Sequence, residues 1–159
     1  MITINSKYLL NFIIPQGPTG PAGGILAYGG IYSNDDTHVD LPISGDPVQI
    51  ELESTMPSSN ISYSTSNCIT ILVAGVYEIS YHANVSTTAA TITLNLRNNG
   101  QDIPETAITR TITQYTFNGS IIMSLGANST LDMVVSSTLG VDINLNGANN
   151  ASIIVKKLG

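Results

Sequence analysis

The sequence predicts an all-β fold, a sandwich of the jelly-roll kind built from about ten short strands. Three observations carry this. Apolar and polar residues alternate at period two in segment after segment, as in Val48, Ile50 and Leu52 or Ile92, Leu94 and Leu96. Turn dipeptides such as Asn99-Gly100 and Asn146-Gly147 punctuate those segments at short intervals. No segment repeats with a helix's period of about 3.6 residues, and charged residues, which long surface helices use freely, make up only 10% of the chain.

The elements follow in order. Met1 to Gln16 is a tail in which Lys7 precedes a short apolar run, Leu9 to Ile14, interrupted by Asn11. The run is too short to span a bilayer and no small-residue cleavage site follows it, so no membrane insertion is expected. Residues 17–24 read Gly-Pro-Thr, Gly-Pro-Ala, Gly-Gly. Glycine at every third position is collagen phrasing, because only glycine fits the crowded triple-helix axis. Two triplets cannot hold a triple helix alone, and a Pro-Gly linker would look similar.

Residues 25–159 form the head. Ile25 to Tyr32 is a strand with a Gly29-Gly30 break, expected to bend or bulge. Ser33 to Asp40 is a polar loop, Val48 to Glu53 a half-buried strand, and Ile61 to Ser64 a short strand. Cys68 to His82 is the central stretch: a buried strand, a tight turn at Ala74-Gly75, and a second strand hairpinned back on the first. In that second strand Tyr77, Ile79 and Tyr81 share the core face, and Glu78, Ser80 and His82 the opposite one.

Beyond it, Asn98-Asn99-Gly100 marks a type I′ hairpin after the strand containing Ile92, Leu94 and Leu96. The return strand, Gln101 to Thr111, contains Pro104, which suits an edge or a bulge. Four further strands carry Ile121, Met123 and Leu125; Leu131, Met133 and Val135; Val141, Ile143 and Leu145; and the run from Ala151 to Leu158.

Composition excludes several functions. With a net charge of −6 and five basic residues the chain lacks the Lys/Arg clusters that bind phosphate backbones, so no nucleic acid partner is expected. The single cysteine, Cys68, rules out an intrachain disulfide, and its apolar setting predicts a buried, inert thiol. Glycine-rich residues 17–24 lack the Lys-Ser/Thr of a phosphate loop, and no cofactor is expected.

An enzyme would need a nucleophile with a base, paired acids or a metal cluster. The two histidines, His38 and His82, lie in different elements. Ser80 and His82 share a strand face, which reads as a polar interface rather than a catalytic pair. The loop holding Asp35, Asp36 and Asp40 is where a hard cation such as calcium would find oxygen donors, but it lacks the EF-hand pattern, and a solvated acidic loop is the ordinary reading. The sequence is therefore read as non-enzymatic.

Residues 25–159 resemble a known family. Gly75, Tyr77 and Ile79 match the Gly-x-Tyr-x-Phe signature of C1q and tumour-necrosis-factor-like jelly rolls, with isoleucine where phenylalanine is usual. Gly119 to Leu125 with Leu131 to Val135 resemble that family's paired late strands, and Asn150 to Val155 its closing strand. Collagen triplets before such a head, two phenylalanines and no tryptophan make the chain most similar to the collagen-like exosporium glycoproteins of spore-forming bacteria, the BclA type.

The resemblance implies a roughly ten-stranded jelly roll that assembles as a homotrimer. It implies a structural role as the globular tip of filaments on the spore surface, in assembly, shielding or adhesion, with a host-surface or spore-coat protein as possible partner. The alternative it leaves open is a soluble C1q-like ligand that binds a receptor or glycan through loops of the trimer. It also implies sugar on the threonine of Gly-x-Thr triplets, for which Thr19 is the fitting position. In the resembling family the sheet face opposite the core lies towards the trimer axis, which puts Glu78, Ser80 and His82 at the interface.

Overall fold

The computed structural model describes residues 26–65 and 67–159. The tail, the Gly-x-y triplets and Thr19 lie outside the described residues. Twelve strands follow one another: β1 (Tyr28–Ser33), β2 (Thr37–Leu41), β3 (Val48–Gln49), β4 (Ser54–Thr55), β5 (Ile61–Ser64), β6 (Cys68–Ile71), β7 (Gly75–Asn98), β8 (Gln101–Asp102), β9 (Ile108–Leu125), β10 (Thr130–Ser137), β11 (Val141–Leu145) and β12 (Ala151–Leu158). The chain is all-β, as expected, and the jelly roll is formed. The strand count differs because two strands are long, 24 residues in β7 and 18 in β9, while several edge strands are only two residues long.

The long pair organises the fold. The first half of β7 lies between β12 and the second half of β9, and β1 then β4 continue that side. The second half of β7 lies between β10 and the start of β9, and β6 then β5 continue the other side. Between the halves the β7–β9 register slips at Ser86/Ala90, and Ala89 takes a positive φ of 61°. This bulge bends the pair and passes it from one side of the sandwich to the other. β11 joins β7 beside the bulge, at Val85 to Thr87, and carries β2 on its outer edge.

One core fills the interior. Tyr77, Ile79, Ile92, Leu94 and Leu96 from β7 meet Met133, Val135, Ile153 and Val155, all fully buried. Alternation produces this directly, since every second side chain on each strand points to the same face. The buried tyrosines need partners for their hydroxyls. Tyr77 donates to the Val73 carbonyl at 2.6 Å and Tyr81 to the Thr106 carbonyl at 2.7 Å.

The Asn99-Gly100 turn forms as expected, with φ of 53° and 75° between paired Asn98 and Gln101. The return strand does not run through: after β8, Pro104–Thr106 makes a 3-10 turn. Its Thr106 is buried and accepts the Leu96 N–H at 2.9 Å.

Five further expectations are corrected. The central stretch is no hairpin: β6 pairs with β5 and β10, while β7 pairs with β9, β10, β11 and β12, so residues 72–74 cross between the two sides. Gly75 is not in a turn but opens β7 opposite Leu125, without a left-handed φ. Gly29-Gly30 is not a bulge, since β1 keeps continuous register with β12. Those glycines make room instead: a Cβ at Gly29 would lie 2.7 Å from the Tyr63 hydroxyl, and one at Gly30 2.7 Å from Met56 Sδ. Half of the polar loop is strand β2, with Val39 and Leu41 inward, whereas only Val48 and Gln49 of the Val48–Glu53 segment join a ladder. Ile50 and Leu52 are nonetheless buried, as their alternation requires.

Candidate functional site: an outer sheet face and a polar recess

The outward side of the β1–β12–β7–β9 sheet can be built row by row from the register. Tyr28, Lys156, Glu78 and Ile122 form one row; Gly30, Ile154, Ser80 and Ser120 the next; Tyr32, Ser152, His82 and Asn118 a third. Leu158, Val76 and Ser124 form the row at the other end. Its polarity is unusual for a surface in water. Ile122 is 63% exposed, Val76 41% and Leu158 40%, around a floor of small serines. The charges on this face are one loose pair, Glu78 with Lys156 at 3.9 Å.

Glu78, Ser80 and His82 lie in consecutive rows on that outward side, as their alternation with Tyr77, Ile79 and Tyr81 demands, and all three are half-buried. His82 is fixed within its own chain. Its Nε2 lies 2.8 Å from the Asn149 carbonyl and its Nδ1 2.9 Å from Ser152 Oγ. A proton on Nε2 donates to the Asn149 carbonyl, and the Ser152 hydroxyl can pair with Nδ1. Among the described residues His82 bonds Asn149 and Ser152 rather than Ser80.

Asp35, Asp36 and Asp40 do not converge. Asp36 Oδ1 accepts the Gly147 N–H at 3.2 Å, and Asp35 offers its backbone carbonyl to Thr37 Oγ1 at 3.1 Å. Asp40 instead meets His38 and Asp142, with His38 Nε2 2.9 Å and 3.9 Å from the two carboxylates. The pairing of β2 with β11 sets Asp40 directly opposite Asp142 and His38 opposite Asn144. His38 has its pKa raised above 6.5, first by the Asn144 side-chain hydrogen bond at 3.2 Å; desolvation opposes this, and the Asp40 and Asp142 carboxylates add to the rise. All three groups are exposed, and the ordinary reading is a solvated charge cluster.

A polar recess of about 260 Å³ opens where β7 nears its bulge. Asn84, Val85, Gln114, Tyr115, Thr116 and Asn146 line it. The sequence marked only Asn146, as part of a turn, and did not group these residues, because the walls come from three separate elements whose pairing only the fold supplies.

Cys68 is half-buried rather than buried, a correction to the expectation from its apolar setting. Burial pushes its thiol up, and the nearby Asp132 adds to the shift, so it is a poor nucleophile at neutral pH, as expected. No helix of the described residues is long and apolar enough to cross a membrane.

Residues 31–159 match the family model described as BclA C-terminal domain. No curated protein matches the sequence. Among solved structures the chain is similar to Eiger TNF from S. frugiperda, with a TM-score of 0.68 at 12% identity over 86% of this chain and 94% of that one. It is similar to the globular domain of a zebrafish complement 1qA protein, with a TM-score of 0.62 at 10% identity over 84% and 98%. The PRD1 vertex protein P5 shares the fold at a TM-score of 0.59 and 13% identity, over 86% of this chain and all of that one.

Proposed function

Because the chain belongs to the BclA C-terminal domain family, we propose that it is the globular head of a collagen-like protein on the spore surface, assembled as a homotrimer. One observation carries this reading: the outward sheet face exposes Tyr28, Val76, Ile122 and Leu158 around Ser80 and Ser120. Exposed apolar groups gathered on one flat face cost free energy in water and are the ordinary mark of a protein interface. Threefold packing on that face brings Glu78, Ser80 and His82 to the contact between subunits.

The parallel threefold arrangement also suits the sequence before it. Gly-x-y triplets at residues 17–24 need three parallel chains, and β1 begins only four residues later. Residues 17–24 are then the remnant of a stalk, with Thr19 as its sugar-bearing position, and the head serves assembly, shielding or adhesion. Ile122→Arg tests the interface. It places a charge where three copies meet, and should lower the mass in solution to that of one chain while leaving the β-sheet circular dichroism unchanged. An Ile122→Arg protein with unaltered mass would place the interface elsewhere.

A further inference from the structure

The pairing of β2 with β11 assembles a donor set that neither strand holds alone. His38 and Asp40 flank inward Val39, and across the ladder Asp142 and Asn144 flank inward Ile143. Asp40 lies directly opposite Asp142 and His38 opposite Asn144, so all four side chains stand on one face. Among the described residues, one imidazole nitrogen and two carboxylate oxygens come within 4.8 Å of one another here.

The register of the two strands calls for a cation. Like charges at directly opposed positions of a sheet repel and destabilise the pairing. Asp40 and Asp142 are so opposed, and among the described residues His38 is the basic group within ion-pair distance of either. A singly charged ring leaves one negative charge over, whereas a divalent ion balances both.

Asn144 fixes how the ring is turned. Its Oδ1 can only accept, so the 3.2 Å contact places a proton on His38 Nδ1. In the neutral ring Nε2 is then a lone pair, facing an Asp40 oxygen at 2.9 Å and an Asp142 oxygen at 3.9 Å. Acceptors this close need a cation between them. A proton on Nε2 serves Asp40 alone, since the Asp142 oxygen is beyond hydrogen-bond length. A metal ion serves both. In a tetrahedral shell with bonds of about 2.1 Å, neighbouring donors lie roughly 3.4 Å apart, which falls between the two separations here. A hydrogen bond from the far ring nitrogen is also the usual support of a metal-bound histidine.

The donors select the ion. Calcium and magnesium favour shells of six or more oxygens. One imidazole with two carboxylates suits a first-row transition ion such as zinc, with water on the open side. The other soft donors compete poorly. Both ring nitrogens of His82 lie within hydrogen-bond distance of Asn149 and Ser152, and burial raises the Cys68 thiol.

We infer that His38 Nε2, Asp40 and Asp142 bind a divalent first-row transition ion, which ties edge strand β2 to β11. β2 has β11 as its one ladder partner among the described residues, so the ion would add a second tie. All three ligands belong to one chain. Their neighbour Asn144 shares a row with Ser86, eight residues along β7 from Glu78, which is about 26 Å at a strand's rise per residue. Binding is therefore independent of the trimer and survives in Ile122→Arg even if the assembly reading fails.

The test is isothermal titration calorimetry of the metal-free full chain with zinc chloride, beside calcium chloride, together with NMR of the His38 ring. Zinc should bind saturably and shift the His38 Cε1 proton, and calcium over the same range should do neither. His38→Gln should abolish that binding, and Asp40→Asn and Asp142→Asn should each weaken it roughly tenfold or more. Asp46→Asn, which removes an acidic charge outside the set, should leave it unchanged. All of these positions are exposed, and circular dichroism checks that each variant keeps its sheet. Absence of saturable zinc binding overturns the inference. So does binding that His38→Gln leaves intact, a loss as large in Asp46→Asn as in Asp142→Asn, or a preference for calcium.

Discussion

The ring of Tyr81 lies across Gly119, its direct partner on β9. A Cβ added at Gly119 would overlap the Tyr81 hydroxyl and sit 2.5 Å from Cζ. The same hydroxyl donates to the Thr106 carbonyl and so ties the 3-10 turn to the sheet. Gly119 is thus required for space rather than for backbone conformation, since its φ is not left-handed. Gly119→Ala should displace the ring and lose the Thr106 bond, costing about 1–3 kcal/mol as overpacking does. Chemical denaturation measures this. Tyr81→Phe, which keeps the ring and drops the bond, should cost about 1 kcal/mol, and equal stability of Gly119→Ala and wild type would contradict the account.

Arg97 and Asp132 are directly paired between β7 and β10, and Asp132 is only 6% exposed at its side chain. Both Nε and Nη2 of Arg97 donate to the carboxylate, and that hydrogen bonding holds the guanidinium above its already high pKa. Removing one partner strands the other charge in a poorly solvated place. Asp132→Ala should therefore destabilise by about 3 kcal/mol, while Arg97→Met with Asp132→Leu should recover most of that loss. A double variant no better than the single one would show that the pair is not self-contained.

His38 supplies a pH signature. Its folded pKa is raised above 6.5, so the stabilisation it contributes is fully present below 6.5 and is lost as pH rises through the folded value. The His38 Cε1 proton should titrate by NMR with a midpoint above 6.5, and Asn144→Ala, Asp40→Asn and Asp142→Asn should each lower that midpoint. The group is fully exposed, so the effect on overall stability is small. A midpoint at or below 6.5 would mean that Asn144 and the carboxylates do not hold the ring.

Much of this was legible from residue order, for a physical reason. Period two decides which side chains face inward whatever the strand pairs with, so Tyr77, Ile79 and Tyr81 were placed in the core and Glu78, Ser80 and His82 outside it. The Asn99-Gly100 turn was legible because its chemistry is local. Pairing was not. Nothing in Cys68 to His82 says that β6 and the start of β7 belong to different sides of the sandwich, because apolar strands joined by a small turn look alike whether they hairpin or cross over. Glycine was misread for a related reason. Gly75 and Gly29-Gly30 were assigned to turn and bulge, when Gly29 and Gly30 leave space for Tyr63 and Met56, residues distant in sequence. The recess and the Asp40–Asp142 meeting were invisible for the same cause, since both exist only through long-range register.

The tail should be dispensable for assembly of the head. Two Gly-x-y triplets make too few interchain bonds to offset ordering three chains, at about 1–2 kcal/mol of backbone entropy per residue. Deleting Met1 to Gly23 should leave a protein with the melting temperature and oligomeric state of the full chain. A monomeric or unfolded fragment would assign assembly to the tail, with Leu9 to Ile14 as the first segment to test.

The most direct test of the central claim is the mass of the full chain in solution by multi-angle light scattering at micromolar concentration. The outward face built from Tyr28, Val76, Ile122 and Leu158 predicts a species three times the 16.7 kDa chain mass. A single species at 16.7 kDa would contradict it.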